Sequence, residues 1–122
     1  MIIFKDIVSG LSKMHSLGIA HRDIKVENIL KDGNKFKLCD FGSASKQVLS
    51  PKLATKAEVI ESYEMYEKYT TLIYRPPEMT DQYLGYTVDL QADMWMLGCV
   101  LYALCFGKHP FTDAQKLAII NA

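Results

Sequence analysis

From about Leu90 to Cys105 the chain carries apolar side chains on nearly every side of a helix: Met94, Leu97, Leu101 and Leu104 mark one face, and Trp95, Cys99 and Tyr102 widen it. A helix of that kind belongs at the centre of a domain, with the other elements wrapped around it. The 122 residues suffice for one such core, which at this size hides roughly two thirds of the unfolded chain's surface. The 14 basic and 14 acidic residues cancel, so there is no basic field of the kind that grips nucleic acid or an anionic membrane. The apolar clusters at Met1 to Phe4, Met94 to Met96 and Val100 to Leu104 are all shorter than the roughly 18 uninterrupted apolar residues of a membrane span. Met1 leads into an amphipathic helix, not the basic start of a signal peptide. Cys39, Cys99 and Cys105 lie in apolar runs, odd in number and without metal-ligand spacing. They read as reduced, buried thiols of a cytoplasmic protein.

Upstream, Ile3, Phe4, Ile7, Val8, Leu11 and Met14 recur at helical spacing, and Gly18 is a natural stop. Ile29-Leu30 and Phe36 to Cys39 flank Lys31-Asp32-Gly33-Asn34, whose composition suits a tight turn between two short strands. From Ser43 to about Tyr69 large apolar residues become scarce. That stretch is expected to be a long surface segment with a helical turn or two around Glu58 to Glu67. Gly107 closes the apolar helix, and Asp113 is placed to cap a last helix through Ile120.

Two short segments carry chemistry: His21-Arg22-Asp23-Ile24-Lys25-Val26-Glu27-Asn28 and Asp40-Phe41-Gly42. Either alone is commonplace; an isolated Asp-Phe-Gly is more often a turn than a metal site. Together they bracket the strand pair, so the hairpin is expected to bring Asn28 and Asp40 close. With Lys25 and the downstream Pro77-Glu78, the chain resembles the C-terminal lobe of a eukaryotic Ser/Thr protein kinase, for which these segments are a known template. The resemblance implies a mainly α fold with a small β-hairpin, a partial C-terminal lobe of the α+β protein kinase fold over residues 1–122. Within it would lie a catalytic loop at 21–28, a Mg-binding turn at 40–42, an activation segment over 40–78 and a central helix over about 90–105.

It also implies roles. Transfer of the ATP γ-phosphoryl group has a loose transition state, so the protein mainly positions reactants and neutralises phosphate charge. Asp23 would orient the acceptor hydroxyl and take its proton, and Lys25 would sit against the transferred phosphate. Asn28 and Asp40 would hold Mg²⁺ through oxygen, with Leu30 beneath the adenine. Arg22 in the family usually binds a phosphate or carboxylate on the activation segment. His21 and Phe41 would belong to the apolar column linking the lobes. Thr71 matches the substrate-loop threonine that bonds the catalytic Asp and Lys. Asp93, a carboxylate inside an apolar helix, would be structural, accepting backbone hydrogen bonds from the His-Arg-Asp turn; Glu78 would be structural too. Lys25 indicates Ser/Thr rather than Tyr acceptors. Cys39 reads as a passive core thiol, its place before Asp40 leaving open a position beside the nucleotide. His15 and His109 read as structural.

The runs Leu38-Cys39-Asp40-Phe41-Gly42-Ser43-Ala44, Tyr69 to Met79, and Asp93 to Cys99 with His109-Pro110-Phe111 are similar to the Numb-associated kinases, which include the adaptor-associated and cyclin-G-associated kinases. The ending Lys116-Leu117 to Ile120-Asn121 fits the cyclin-G-associated branch. Members phosphorylate Ser or Thr of endocytic, clathrin-adaptor proteins and influence actin regulation, and they carry an additional helix that would fall at Thr80 to Val88. Pro76 departs from the family's usual small residue. The 122 residues hold no Gly-rich phosphate loop, no strand lysine and no partner glutamate helix; the N-terminal lobe is expected to be absent, and the isolated chain inactive. The competing reading is a catalytically inactive lobe kept as a binding or regulatory module.

Overall fold

The computed structural model describes residues 2–111, and these form one mainly helical unit with a two-stranded sheet. Helix α1, Ile2–Ser16, turns Ile7 and Leu11 inward, one turn apart. Val8 stays 39% exposed, so the buried stripe is narrower than the sequence pattern. The helix ends in a double bond pattern: Gly18 N–H donates to His15 O at 2.9 Å and Ile19 N–H to Met14 O at 3.0 Å. That closure needs a left-handed residue, supplied by Gly18 at φ +75°.

Strands β1 (Ile29–Asp32) and β2 (Lys35–Leu38) pair antiparallel, with Ile29 opposite Leu38 and Asp32 opposite Lys35. Only Gly33-Asn34 remains for the loop, and Gly33 takes φ +61°, as mirror-image two-residue turns require. Helix α1 lies across β2, where Asp6 Oδ2 accepts the Phe36 N–H at 3.0 Å.

Helix α2, Lys56–Tyr69, is a full 14-residue element where only a turn or two was expected. Thr55 caps it, accepting the Glu58 N–H at 3.2 Å while its hydroxyl donates to Glu58 Oε1 at 3.1 Å. Its inward face is Ser62, Tyr63 and Tyr66, small and aromatic rather than aliphatic, which is why the aliphatic pattern was silent.

Pro77 opens the short helix α3, Pro77–Thr80, at a position where a fixed φ costs nothing. The helix expected over Thr80 to Val88 does not form. The chain makes one 3₁₀ turn at Gln82–Leu84, turns left-handed at Gly85 (φ +70°), and pairs Val88 with Leu49 of the preceding segment. That nonlocal bridge outweighs any local helical preference.

Helix α4, Ala92–Phe106, buries Ala92, Asp93, Met96, Leu97, Cys99 and Val100, and all of these but Asp93 join Ile7, Leu11, Ile24, Tyr66 and Met79 in one apolar core. Full burial of each large aliphatic contributes about 1.5–3 kcal/mol. The other side is open: Met94 is 50% exposed and Leu101 38%. Among the described residues, therefore, α4 is covered on one side only, and the inward stripe runs through Met96 and Val100, not Met94 and Leu101. Cys105 is likewise exposed, against the expectation of three buried thiols; Cys99 is buried, Cys39 half-buried, and all three are free. No helix among the described residues is long and apolar enough to cross a membrane. The expected final helix from Asp113 through Ile120 lies outside the described residues.

Candidate active site

Asp93, wholly buried on α4, is the post on which the loop over residues 21–28 hangs. One carboxylate oxygen accepts the Arg22 N–H at 2.8 Å; the other accepts the His21 N–H and His15 Nε2–H, both at 2.8 Å. An unpaired buried carboxylate would be costly, and three donors offset that cost. They also hold Arg22 at φ 69°, a left-handed conformation worth about 1–3 kcal/mol of strain for a side-chain-bearing residue. His15 is thus part of this anchor. His21 continues it: Nδ1 accepts the Asp23 N–H at 3.1 Å, and Nε2–H donates to Cys39 O at 3.0 Å, joining this loop to the Asp40 turn.

This frame brings Asp23, Lys25, Asn28 and Thr71 together. The Thr71 hydroxyl donates to Asp23 Oδ1 at 3.0 Å and accepts from Lys25 Nζ at 2.9 Å. Lys25 Nζ stands 3.9 Å from Asp23 Oδ2. Asn28 commits its amide N–H₂ to Asp23 O at 2.8 Å and Oδ2 at 3.2 Å. Tyr74, which the sequence reading did not single out, braces the loop by accepting the Val26 N–H at 3.3 Å; burial raises its phenol pKa.

The hairpin does what its sequence position suggested. Cys39 donates N–H (2.9 Å) and Sγ–H (3.3 Å) to Asn28 O, so Asp40 begins beside Asn28. Asp40 is exposed, at φ 61°, and its Oδ1 accepts the Gly42 N–H at 3.3 Å. A side chain at Gly42 would press on that oxygen, since an added Cβ meets it at 3.2 Å. Phe41 packs edge-on against His21 at 5.4 Å between ring centroids. Leu30 and Phe41 are each 55% exposed and open to a covering surface.

The Arg22 side chain donates from Nη2 to Gln47 O at 2.8 Å, its guanidinium lies 5.4 Å from the Tyr66 ring centroid, and its buried Nε has no hydrogen-bond partner among the described residues. A cavity of about 290 Å³ borders this pair, with Ser45, Met65 and Thr70 in its wall. Glu78 is half-buried, burial raises its carboxyl pKa, and its backbone oxygen accepts the Tyr63 hydroxyl. Burial pushes that Tyr63 phenol up to about 12. Arg75 was also missed: buried, with its pKa lowered by burial, it donates from Nε to Thr70 Oγ1 at 2.7 Å and from Nη2 to Thr70 O at 3.0 Å. Only Thr55 with Glu58 gave a readable signal in this region, a capping pair ahead of α2; the partners of Arg22 and Arg75 are set by folding.

The protein kinase domain family model matches residues 2–122. A probable serine/threonine-protein kinase of Dictyostelium discoideum is 41% identical over 98% of this chain and 11% of its own length. A protein kinase domain-containing protein of Schizosaccharomyces pombe is 40% identical over 98% of this chain and 18% of its own. The chain thus spans under a fifth of these curated relatives. Among solved structures, a chain of the yeast RNA Pol II CTD kinase complex superposes with a TM-score of 0.73 at 32% identity, covering 98% of this chain and 35% of that one. The fold is accordingly a partial protein kinase fold, and the chain belongs to the protein kinase domain family, among serine/threonine-kinase relatives.

Proposed function

We propose that residues 1–122 are the lower-lobe part of a longer Ser/Thr protein kinase, with the catalytic loop at 21–28, the metal-binding turn at 40–42 and the activation segment over 40–78. The observation that carries this reading is the Thr71 hydroxyl bonded to both Asp23 and Lys25. Such a bridge fixes a carboxylate and a cation side by side at the segment that receives the acceptor. Asp23 orients the Ser or Thr hydroxyl and takes its proton, its carboxylate held by Thr71 on one oxygen and Asn28 on the other. Lys25 faces the charge that develops on the transferred group. Asn28 and Asp40 offer oxygen only, which fits Mg²⁺. ATP with Mg²⁺ supplies the phosphoryl group and part of the charge neutralisation. Leu30 contacts the adenine, and Phe41 with His21 meets the upper lobe.

Within the kinases, a Numb-associated type acting on clathrin-adaptor or actin-regulatory proteins in the cytoplasm is our finer reading. It is supported by the runs around Asp40, Tyr69 to Met79 and Asp93, and by three free cysteines. The unformed helix over 80–88 counts against it. The test compares Mg²⁺-ATP phosphorylation of a Ser/Thr peptide by the 122 residues and by a form extended upstream. Transfer by the extended form alone is expected. Turnover by the short chain would overturn the two-lobe requirement; an inactive extended form would favour the binding-module reading.

A further inference from the structure

Away from the Asp23 loop, an apolar groove runs between α2 and the 3₁₀ turn at Gln82–Leu84. Pro51, Ala54, Val59 and Ile60 form one wall and Tyr83 the other, around a volume of about 450 Å³. Tyr83 is 88% exposed and Ile60 49%, so both offer apolar surface that packing within the described residues does not use. The Tyr83 N–H donates to Asp81 Oδ1 at 2.8 Å, and this bond fixes where the exposed ring stands. Past Tyr83 the groove continues into a polar hollow of about 290 Å³, walled by Tyr63, Glu67, Thr80 and Asp81.

The even charge of the whole chain hides a local excess. Residues 56–89 carry seven acidic and three basic side chains. Of the three, Arg75 is buried, Lys68 lies over the Tyr69 ring, and Lys56 stands at the apolar end of the groove. Glu61, Glu64 and Asp81 form no ion pair among the described residues. Burial pushes the Tyr63 phenol up to about 12, and the charges of Tyr66, Glu78 and Asp81 add to the rise. The groove is thus apolar at one end and acidic at the other. Its acidic end is the one nearer the acceptor segment: Glu67 O accepts from Arg75 Nη2 at 3.5 Å, and Arg75 Nε donates to Thr70 Oγ1 at 2.7 Å, next to Thr71. From Ile60 to Thr70 the helix rises about 15 Å, a span that an extended peptide covers in about five residues.

We propose that the groove between α2 and Tyr83 is a docking site for the protein substrate. An apolar side chain of the substrate enters beside Ile60 and Tyr83, basic residues follow along Glu67 and Asp81, and the Ser or Thr to be phosphorylated lies about five to eight residues from the apolar one. Charge selects this occupant: an apolar residue fills the wide end, and a basic stretch complements the acidic end. The proposal deepens the phosphoryl-transfer reading above and rests on it.

The test uses the complete protein and three Ser peptides. One carries Leu-Arg-Arg about six residues ahead of the Ser, the second carries Arg-Arg-Leu the same distance behind it, and the third is short, with neither. One of the long peptides is expected to exceed the short one by about tenfold in kcat/KM, through KM. Tyr83→Ala should bring that peptide down to the level of the short one and leave the short one unchanged, because Tyr83 lies outside the reacting groups. Glu67→Lys should weaken the arginine peptide about tenfold and favour a version with glutamate in place of arginine. Equal kcat/KM for long and short peptides would overturn the proposal. So would Tyr83→Ala lowering both alike, the mark of a structural role. If the complete protein transfers no phosphate, the kinase reading fails separately, and fluorescence anisotropy of the labelled long peptides decides the docking site. Binding that is lost in Tyr83→Ala and Glu67→Lys upholds it; no binding to wild type overturns it, whether a second copy or a further stretch of this chain fills the groove.

Discussion

Thr71 stands between a carboxylate and an ammonium at ordinary hydrogen-bond lengths, and its removal leaves both to find new positions. Thr71→Ala in the complete protein should lower kcat by about 10- to 100-fold, because a small misplacement of reacting groups is expensive. ATP affinity should stay unchanged. A normal rate in steady-state peptide phosphorylation would show that the bridge does not position Asp23. Asp93 makes a contrasting prediction about stability. Asp93→Ala strips acceptors from three donors, two of them buried backbone N–H groups, and should destabilise the fold by about 3–5 kcal/mol. Chemical denaturation checks this; a loss of under about 1 kcal/mol would mean that water replaces the carboxylate easily. These residues were legible only through the resemblance to protein kinases, since Thr71 and Asp93 meet partners 46 to 78 positions away in the chain. The partners of Arg22 were not, because Gln47 and Tyr66 reach it only through the folded path of the segment.

Among the elements, α1 and the hairpin could be read directly, one from its 3.6-residue apolar period and the other from Asp-Gly and Gly-Asn between short apolar runs. Helix α2 was under-read, since its buried face is Ser62, Tyr63 and Tyr66 and its outer face is rich in Glu. The stretch after α3 was misread because the Leu49–Val88 bridge is nonlocal. Helix α3 carries a pH prediction. Burial raises the Glu78 pKa above its ordinary value, and Asp89 adds to the rise. A folded-state pKa above the unfolded one means the folded chain holds its proton longer, so the contribution of Glu78 to stability is full below the ordinary carboxylate range and is lost as pH rises through the raised value. In the 122-residue chain, Glu78→Gln should match wild type near pH 4 and be more stable at pH 7.5 by thermal unfolding. A variant less stable at pH 7.5 would reveal a cationic partner for Glu78.

At the scale of the whole molecule, one core supports the loop over residues 21–28, the Asp40 turn and the Thr71 segment, while Leu30, Phe41 and the outer side of α4 stay exposed. Large apolar side chains left open together commonly mark surfaces made for further contacts. That arrangement agrees with a chain that spans only part of its relatives. The rate of γ-phosphoryl transfer from ATP to a Ser/Thr peptide, measured for the complete protein and for its Asp23→Asn variant at saturating Mg²⁺, tests the central claim most directly. The variant keeps the shape but loses the proton acceptor, so transfer should drop at least about 100-fold with ATP binding intact. Transfer by Asp23→Asn at the wild-type rate would contradict the assignment of this loop as the site of chemistry.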